Sequence, residues 1–319
     1  VFYDDVTTRD QSKAPKADLY VAGFPCQPFS TAGLQQGFGD KRGRGEIFWH
    51  VREYIEAQEP RVFVLENVSG LVRINGGQYY RAIIQALEDL GTYNVYSKIL
   101  DTKEHGVPQS RRRIYFVGIK KSCDDGSFAF PEPVQRPSIE LFLEPRRKRP
   151  SRADLPPASQ SVARANVQRA IRELYEKGHD PLNEPFIIDC DSSAGRMKYF
   201  NDVSPCLTCS RGSGHWVTNR MRRMTKAEMM RLQAMRPESF KVAVSQTQLG
   251  KQIGNAMSVN VLERLFAQLL PAAGLVARGA VSDRWGAGKP PAELTASGAR
   301  KRPASVSADR GAGKRRTKA

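Results

Sequence analysis

Apolar residues along the first part of the chain come in blocks, and their period changes from block to block. Residues 17–23, ADLYVAG, form an almost continuous apolar run, the pattern of a strand buried on both faces. Residues 46–58, EIFWHVREYIEAQ, repeat instead at helical spacing, with Ile47, Phe48, Val51, Tyr54 and Ile55 on one face and Glu59-Pro60 as the stop. RVFVLEN (61–67) predicts a second strand. YYRAIIQALEDLG (79–91) predicts a second helix with Gly91 just past its end. YNVYSKIL (93–100) and RIYFVGI (113–119) predict two further strands. This alternation predicts an open α/β sheet with its chemistry at the C-terminal ends of the strands.

The pattern loosens at FPEPVQRPS (130–138). A Pro- and Arg-rich stretch (144–157) precedes one amphipathic helix near 161–177 and then short strand-like pieces. Helical order returns at TKAEMMRLQAM (225–235), where Thr225 and Glu228 form a capping-box pattern, and at AMSVNVLERLFAQLL (256–270). From residue 273 the composition is Ala, Gly, Pro, Ser, Lys and Arg without periodicity, which predicts disorder. The expected layout is a partial α/β domain over 1–132 and a smaller irregular module over 133–215. A return to the first domain follows over 216–272, then a disordered basic tail over 273–319.

Charge sharpens this layout. The net charge is +17, yet residues 1–132 carry 17 basic and 17 acidic side chains. Residues 133–272 carry 22 against 13, and residues 273–319 carry 11 against 3. All the excess lies beyond the first domain, the footprint of a neutral catalytic unit joined to a polyanion-binding surface. No apolar run approaches the roughly 18 residues of a membrane span, and the N-terminus does not read as a signal peptide. The five cysteines, Cys26, Cys123, Cys190, Cys206 and Cys209, are too scattered for a disulfide framework and favour a reducing compartment. Cys206 and Cys209 form a C-x-x-C near His215, but no fourth ligand stands at zinc spacing, so no metal is expected.

One loop concentrates the candidate chemistry. In VAGFPCQPFS (21–30), Pro25 and Pro28 stiffen a turn that presents Cys26 at the end of a strand. The second strand ends in Glu66-Asn67, and a parallel neighbour would bring that carboxylate to the same edge. HGVPQSRRRIYFVG (105–118) places Arg111 and Arg113 two residues apart, on one side of an extended chain. A thiol, a carboxylate and two guanidiniums at one edge form a reactive constellation, in which nearby cations favour the attacking thiolate.

These blocks resemble the cytosine-C5 DNA methyltransferase family. GFPCQPFS, ENV (66–68), QSRRRIYFVG (109–118), RMTKAEMMRLQ (223–233) and QIGNAMSVNV (252–261) stand in that family's order. SPCLT (204–208) resembles the end of its target-recognition domain. The resemblance implies a Rossmann-like methyltransferase sheet dependent on S-adenosylmethionine, a duplex DNA substrate and a cytosine flipped out of the helix. It implies that Cys26 adds to C6, that Glu66 serves the N3 edge, and that Arg111 and Arg113 hold the O2 side and the adjacent phosphate. Asp5, Pro25, Ile47, Asn255 and Ala256 match the cofactor side. Pro25, Gln27, Ser30, Asn67 and Gln109 match the substrate side.

The chain departs from the family at its start. The glycine-rich turn that wraps the cofactor has no counterpart before Gly23, so the expected sheet is N-terminally incomplete. On this reading the 319 residues alone bind S-adenosylmethionine weakly or not at all, and a truncated gene product, a partner chain supplying the segment, or a degenerate paralogue would account for the gap. Two alternative functions follow: a tRNA cytosine-5 methyltransferase, and a nucleic-acid-binding protein without catalysis. Lys301-Arg302 and Lys314-Arg315-Arg316 resemble a bipartite nuclear localisation signal. The expected address is therefore the nucleus, or the cytoplasm for a prokaryotic chain.

Overall fold

The structure, a computed structural model, describes residues 3, 5–25, 47–146, 151 and 154–296. Its helices are α1 (Ile47–Gln58), α2 (Gln78–Glu88), α3 (Ser161–Glu176), α4 (Lys226–Arg231), α5 (Gln246–Asn255) and α6 (Val259–Ala272). The first sheet is built from β1 (Leu19–Gly23), β2 (Val62–Val68), β3 (Tyr93–Asp101) and β4 (Arg112–Lys120), in the order β1-β2-β4-β3. β1 runs parallel to β2 with Gly23 opposite Glu66. β4 runs antiparallel to both its neighbours, so the sheet is mixed.

Helices cover both faces. Phe48, Val51 and Ile55 of α1 and Ile83 and Leu87 of α2 pack with Phe63, Leu65 and Phe116 of the sheet. On the other face Val261, Leu265 and Leu269 of α6 meet Val62, Val64 and Val117. The predicted face of α1 is the buried one, because residues three and four apart share a side of a helix. Contact between strands is tight: a Cβ on Gly118 would fall 2.1 Å from the ring of Phe63 directly opposite it.

A second, antiparallel sheet follows, from β5 (Phe186–Ile188), β6 (Tyr199–Asn201), β7 (Trp216–Val217) and β8 (Arg222–Arg223), in the order β6-β5-β7-β8. α3 lies on it, with Val167, Ala170 and Leu174 against Ile188 and Trp216. This sheet runs on to Arg223, past residue 215. The two sheets meet where Gln109 forms a bridge with Ser204.

Three features differ from the sequence-based expectations. The run at 17–23 predicts a strand buried on both faces, but β1 is the outer strand among the described residues and Val21 is 37% exposed. Among the described residues, only β2 pairs with it. α5 was not predicted, although its Ser245 side chain caps the Gln248 amide at 3.2 Å. Within 273–296, expected to be disordered, Ala273, Trp285, Leu294 and Ala296 are buried. The ring of Trp285 is fully buried against Gly106, whose φ of 90° favours glycine and whose Cβ would lie 2.8 Å from that ring. Trp285 Nε1 donates to Glu263 at 2.7 Å. Arg264 pairs with Asp283 at 2.9 Å and donates to His105 Nδ1 at 2.8 Å. Burial, reinforced by that guanidinium, pushes His105 down to about 4.

Candidate active site

The parallel register of β1 and β2 brings two strand ends side by side, and β4 adds a third chain beside them. The result is a cleft of about 400 Å³ whose wall includes Gly23, Pro25, Glu66, Arg113, Asn255 and Met257. Glu66 and Tyr115 are opposite one another across β2 and β4, as are Val68 and Arg113. Glu66 and Arg113 are therefore diagonal neighbours on one face, close enough for long side chains to meet. Their ion pair measures 2.9 Å from Arg113 Nε to Glu66 Oε1, with both side chains nearly buried. The contact lies off the N–H direction, and Glu66 Oε1 has no hydrogen-bond partner among the described residues. A buried carboxyl oxygen beside a cation and without a partner keeps hydrogen-bonding capacity for a ligand. Burial and the Glu66 charge push the Tyr115 phenol up, so it stays neutral behind the pair.

The other expected site residues divide into those on the cleft and those behind it. Arg111 reaches the wall, but its Nη donors are taken up by the chain that returns behind the cleft, while its buried Nε has no hydrogen-bond partner among the described residues. Its Nη1 donates to the carbonyl of Leu207 at 2.7 Å and that of Gly254 at 3.3 Å, and its Nη2 to that of Ala256 at 2.7 Å. It is 3% exposed and clasps these carbonyls. Arg111 and Arg113 both line the cleft, as their spacing predicts, but only Arg111 is bonded to the carbonyls of Leu207, Gly254 and Ala256. Gln109 is fully buried, accepting from Leu207 N at 3.0 Å and donating to Leu232 O at 2.7 Å. Asn67 is also fully buried; its Nδ2 donates to Phe24 O at 3.3 Å, fixing the chain two residues before Cys26.

On the expected cofactor side, Pro25 and Asn255 line the cleft, and Ala256 presents its carbonyl to Arg111. Ile47 begins α1 and packs with the core of that face. Asp5 is exposed, and its carboxylate accepts from Thr7 N and Thr7 Oγ1, both at 2.8 Å. The backbone bond, with the hydroxyl adding to it, lowers its pKa. Neither Asp5 nor Ile47 is on the cleft wall. Cys26, Gln27 and Ser30 lie outside the described residues.

Two participants escaped the sequence. Met257 closes the cleft over Gly23, where a Cβ would fall 2.9 Å from its methyl and 3.6 Å from Glu66 Oε2. Cys206 Sγ sits 3.5 Å from Arg111 Nη1 and 3.7 Å from Arg113 Nη2, bridging the two guanidiniums. Met257 lies within the QIGNAMSVNV block and Cys206 within SPCLT, but their local pattern marks neither for this cleft.

The family described as C-5 cytosine-specific DNA methylase matches residues 1–270. Type II methyltransferase M.NgoBI of Neisseria gonorrhoeae is 34% identical over 275 residues, covering 85% of this chain and 80% of the relative. Type II methyltransferase M.NlaX of Neisseria lactamica is 34% identical over 283 residues, covering 88% and 83%. Among solved structures, one from an E. coli prophage, named for DNA modification methyltransferase activity, superposes with a TM-score of 0.51 at 18% identity. It covers 85% of this chain and 84% of that one, a likeness that concerns the fold.

Proposed function

Because the chain belongs to the C-5 cytosine-specific DNA methylase family, we propose that it transfers a methyl group from S-adenosylmethionine to C5 of a cytosine in DNA. In this reading the Cys26 thiolate adds to C6 of the flipped base. Glu66 donates a hydrogen bond or proton at N3, so charge is neutralised as the C6–S bond forms and C5 becomes nucleophilic. Arg113 holds the O2 side, where a rigid fork serves better than an ammonium. The cofactor supplies an electrophilic methyl group. A water molecule then takes the C5 proton, the C–H electron pair re-forms the C5–C6 double bond as the Cys26 thiolate leaves C6, and a proton given at N3 returns to Glu66, restoring the ring.

The observation that carries this reading is the Glu66–Arg113 pair, with its vacant carboxylate oxygen, on the wall of a cleft entered by the residues just before Cys26. The residues present suit the methyl donor at one end of that cleft. Pro25 and Asn255 share its wall with Glu66, and Arg111 sets the carbonyl of Ala256 in place. Asp5 and Ile47 contribute no part of that wall. The clasp role of Arg111 leaves the O2 contact to Arg113 alone, and Asn67 and Gln109 act by positioning Phe24 and Leu207.

We read the layout as one catalytic sheet, a target-recognition module around the second sheet, and a return through α4, α5 and α6. The relatives come from bacteria, so the nuclear address gains no support and we carry forward the cytoplasmic one. The basic clusters beyond residue 296 are outside the described residues.

Covalent trapping tests the proposal. The full chain is mixed with S-adenosylmethionine and duplex DNA carrying 5-fluorocytosine, whose C5 fluorine cannot leave as a proton. A protein–DNA band on a denaturing gel that disappears in Cys26→Ala is the expected result. An identical band from Cys26→Ala would overturn the assignment of the nucleophile.

A further inference from the structure

A second concavity lies at the far end of α5 from the cleft. Glycines place it there. A Cβ on Gly250 would fall 2.1 Å from the carbonyl oxygen of Gly212, and one on Gly254 would fall 2.2 Å from the carbonyl carbon of Thr208. The segment 208–212 therefore lies directly on α5, without side chains between them. The C-terminal end of this helix carries Gly254 and Asn255 into the reaction cleft. Its first turn opens on a cavity of about 290 Å³ walled by Ser210, Ser213, Lys226, Thr247 and Lys251.

The wall of this cavity has positive charge and no balancing acid. Among the described residues, neither Lys226 nor Lys251 forms an ion pair with a carboxylate, and no Asp or Glu lines the cavity. The Lys226 ammonium is half-buried and donates to the carbonyl of Gly212. Burial, with repulsion from Arg223, lowers its pKa below the usual lysine range. An anion with several acceptor oxygens would answer the two cations and the three hydroxyls together.

We propose that this cavity binds a backbone phosphate of the DNA substrate, and that α5 spaces that phosphate from the flipped cytosine. The proposal rests on the DNA methyltransferase reading of the cleft. A helix of 10 residues is about 15 Å long. The cavity wall runs along α5 from Gln246 to Lys251, nine to four residues before Asn255 and so about 6–14 Å from it along the axis; at about 3.4 Å of duplex axis per nucleotide of one strand, that is roughly two to four nucleotides. The contact would carry no sequence information of its own; it would fix the register of the duplex.

The test is direct binding, read apart from chemistry. The full chain, Lys251→Gln and Lys226→Gln are titrated with a duplex of mixed sequence by fluorescence anisotropy between about 50 and 200 mM salt. Each variant is expected to bind about three- to tenfold more weakly, equally on any sequence, with the slope of log K against log salt shallower by about one. Lys251 is exposed on α5, so its replacement leaves the fold intact even if Lys226→Gln does not. Arg278→Gln, which removes an exposed arginine already paired with Asp125, serves as the control and leaves the slope unchanged. An unchanged slope in Lys251→Gln overturns the proposal, as does failure of the parent chain to bind duplex. Trapping through Cys26 then decides separately whether the reading of the cleft falls too.

Discussion

The rim of the cleft and the seam behind it are made from the same short run of sequence. At the rim, Arg113 meets Glu66 at 2.9 Å and leaves a carboxylate oxygen without a donor. In the seam, Arg111 gives its Nη donors to three backbone carbonyls, and Gln109 is bonded on both sides of its amide. The rim keeps an unmet acceptor on its wall; in the seam every Nη of Arg111 and both ends of the Gln109 amide are bonded, and only Arg111 Nε lacks a partner among the described residues. That difference separates groups placed to act from groups placed to hold, and it makes separate predictions for the two.

The largest effect is expected at the rim. Glu66→Gln preserves shape but removes the charge and the exchangeable proton. Methyl transfer should fall about a thousandfold, within the usual range for losing a general acid. Because Oε1 makes no hydrogen bond among the described residues, the urea midpoint should move by less than about 2 kcal/mol equivalent. Single-turnover methylation and equilibrium unfolding on the same preparation give both numbers. Parental turnover in this variant would break the comparison at its stronger end.

The seam should answer in the opposite way. Arg111→Met keeps much of the side chain's bulk but strips donors from the carbonyls of Leu207, Gly254 and Ala256. Orphaning buried acceptors, two of them bonded at 2.7 Å to a cation, should cost about 3 kcal/mol of folding stability. Methylation per folded molecule should fall far less than in Glu66→Gln. A variant with an unmoved midpoint and no methylation would transfer Arg111 from the seam to the rim.

The rim was largely legible in the sequence and the seam was not, for a physical reason. Glu66 ends an apolar run, Cys26 follows another, and two such runs in a βα alternation predict parallel neighbours whose ends coincide; Gly23 opposite Glu66 is that register. The partners of Arg111 and Gln109 are main-chain atoms of residues around 207, 232 and 254, and a carbonyl leaves no mark in a side-chain pattern. The same holds elsewhere. α1, α2 and α3 announce themselves by apolar spacing, whereas α5 has little more than Leu249 and Ile253 to show and is held by glycine contacts. Trp285 looks isolated among Ala, Gly and Pro, and its burial depends on Gly106, distant in sequence and left-handed in conformation.

Gly23 sits where rim and seam touch, and it gives the smallest and most discriminating prediction. Its φ is not positive, so alanine meets no backbone strain there. The added Cβ would approach Met257 Cε to 2.9 Å and Glu66 Oε2 to 3.6 Å. The first contact is too close, but its partner is the free end of an unbranched, flexible side chain that can swing away. Gly23→Ala should therefore cost less than about 1 kcal/mol in stability. Methylation should slow only a few-fold, because the methyl group narrows the cleft beside the carboxylate without touching its charge. A loss of several kcal/mol on unfolding would mean that Met257 cannot move. The rim at that point would then be as tightly bound as the seam, and the contrast between them would end one residue short of the loop that bears Cys26.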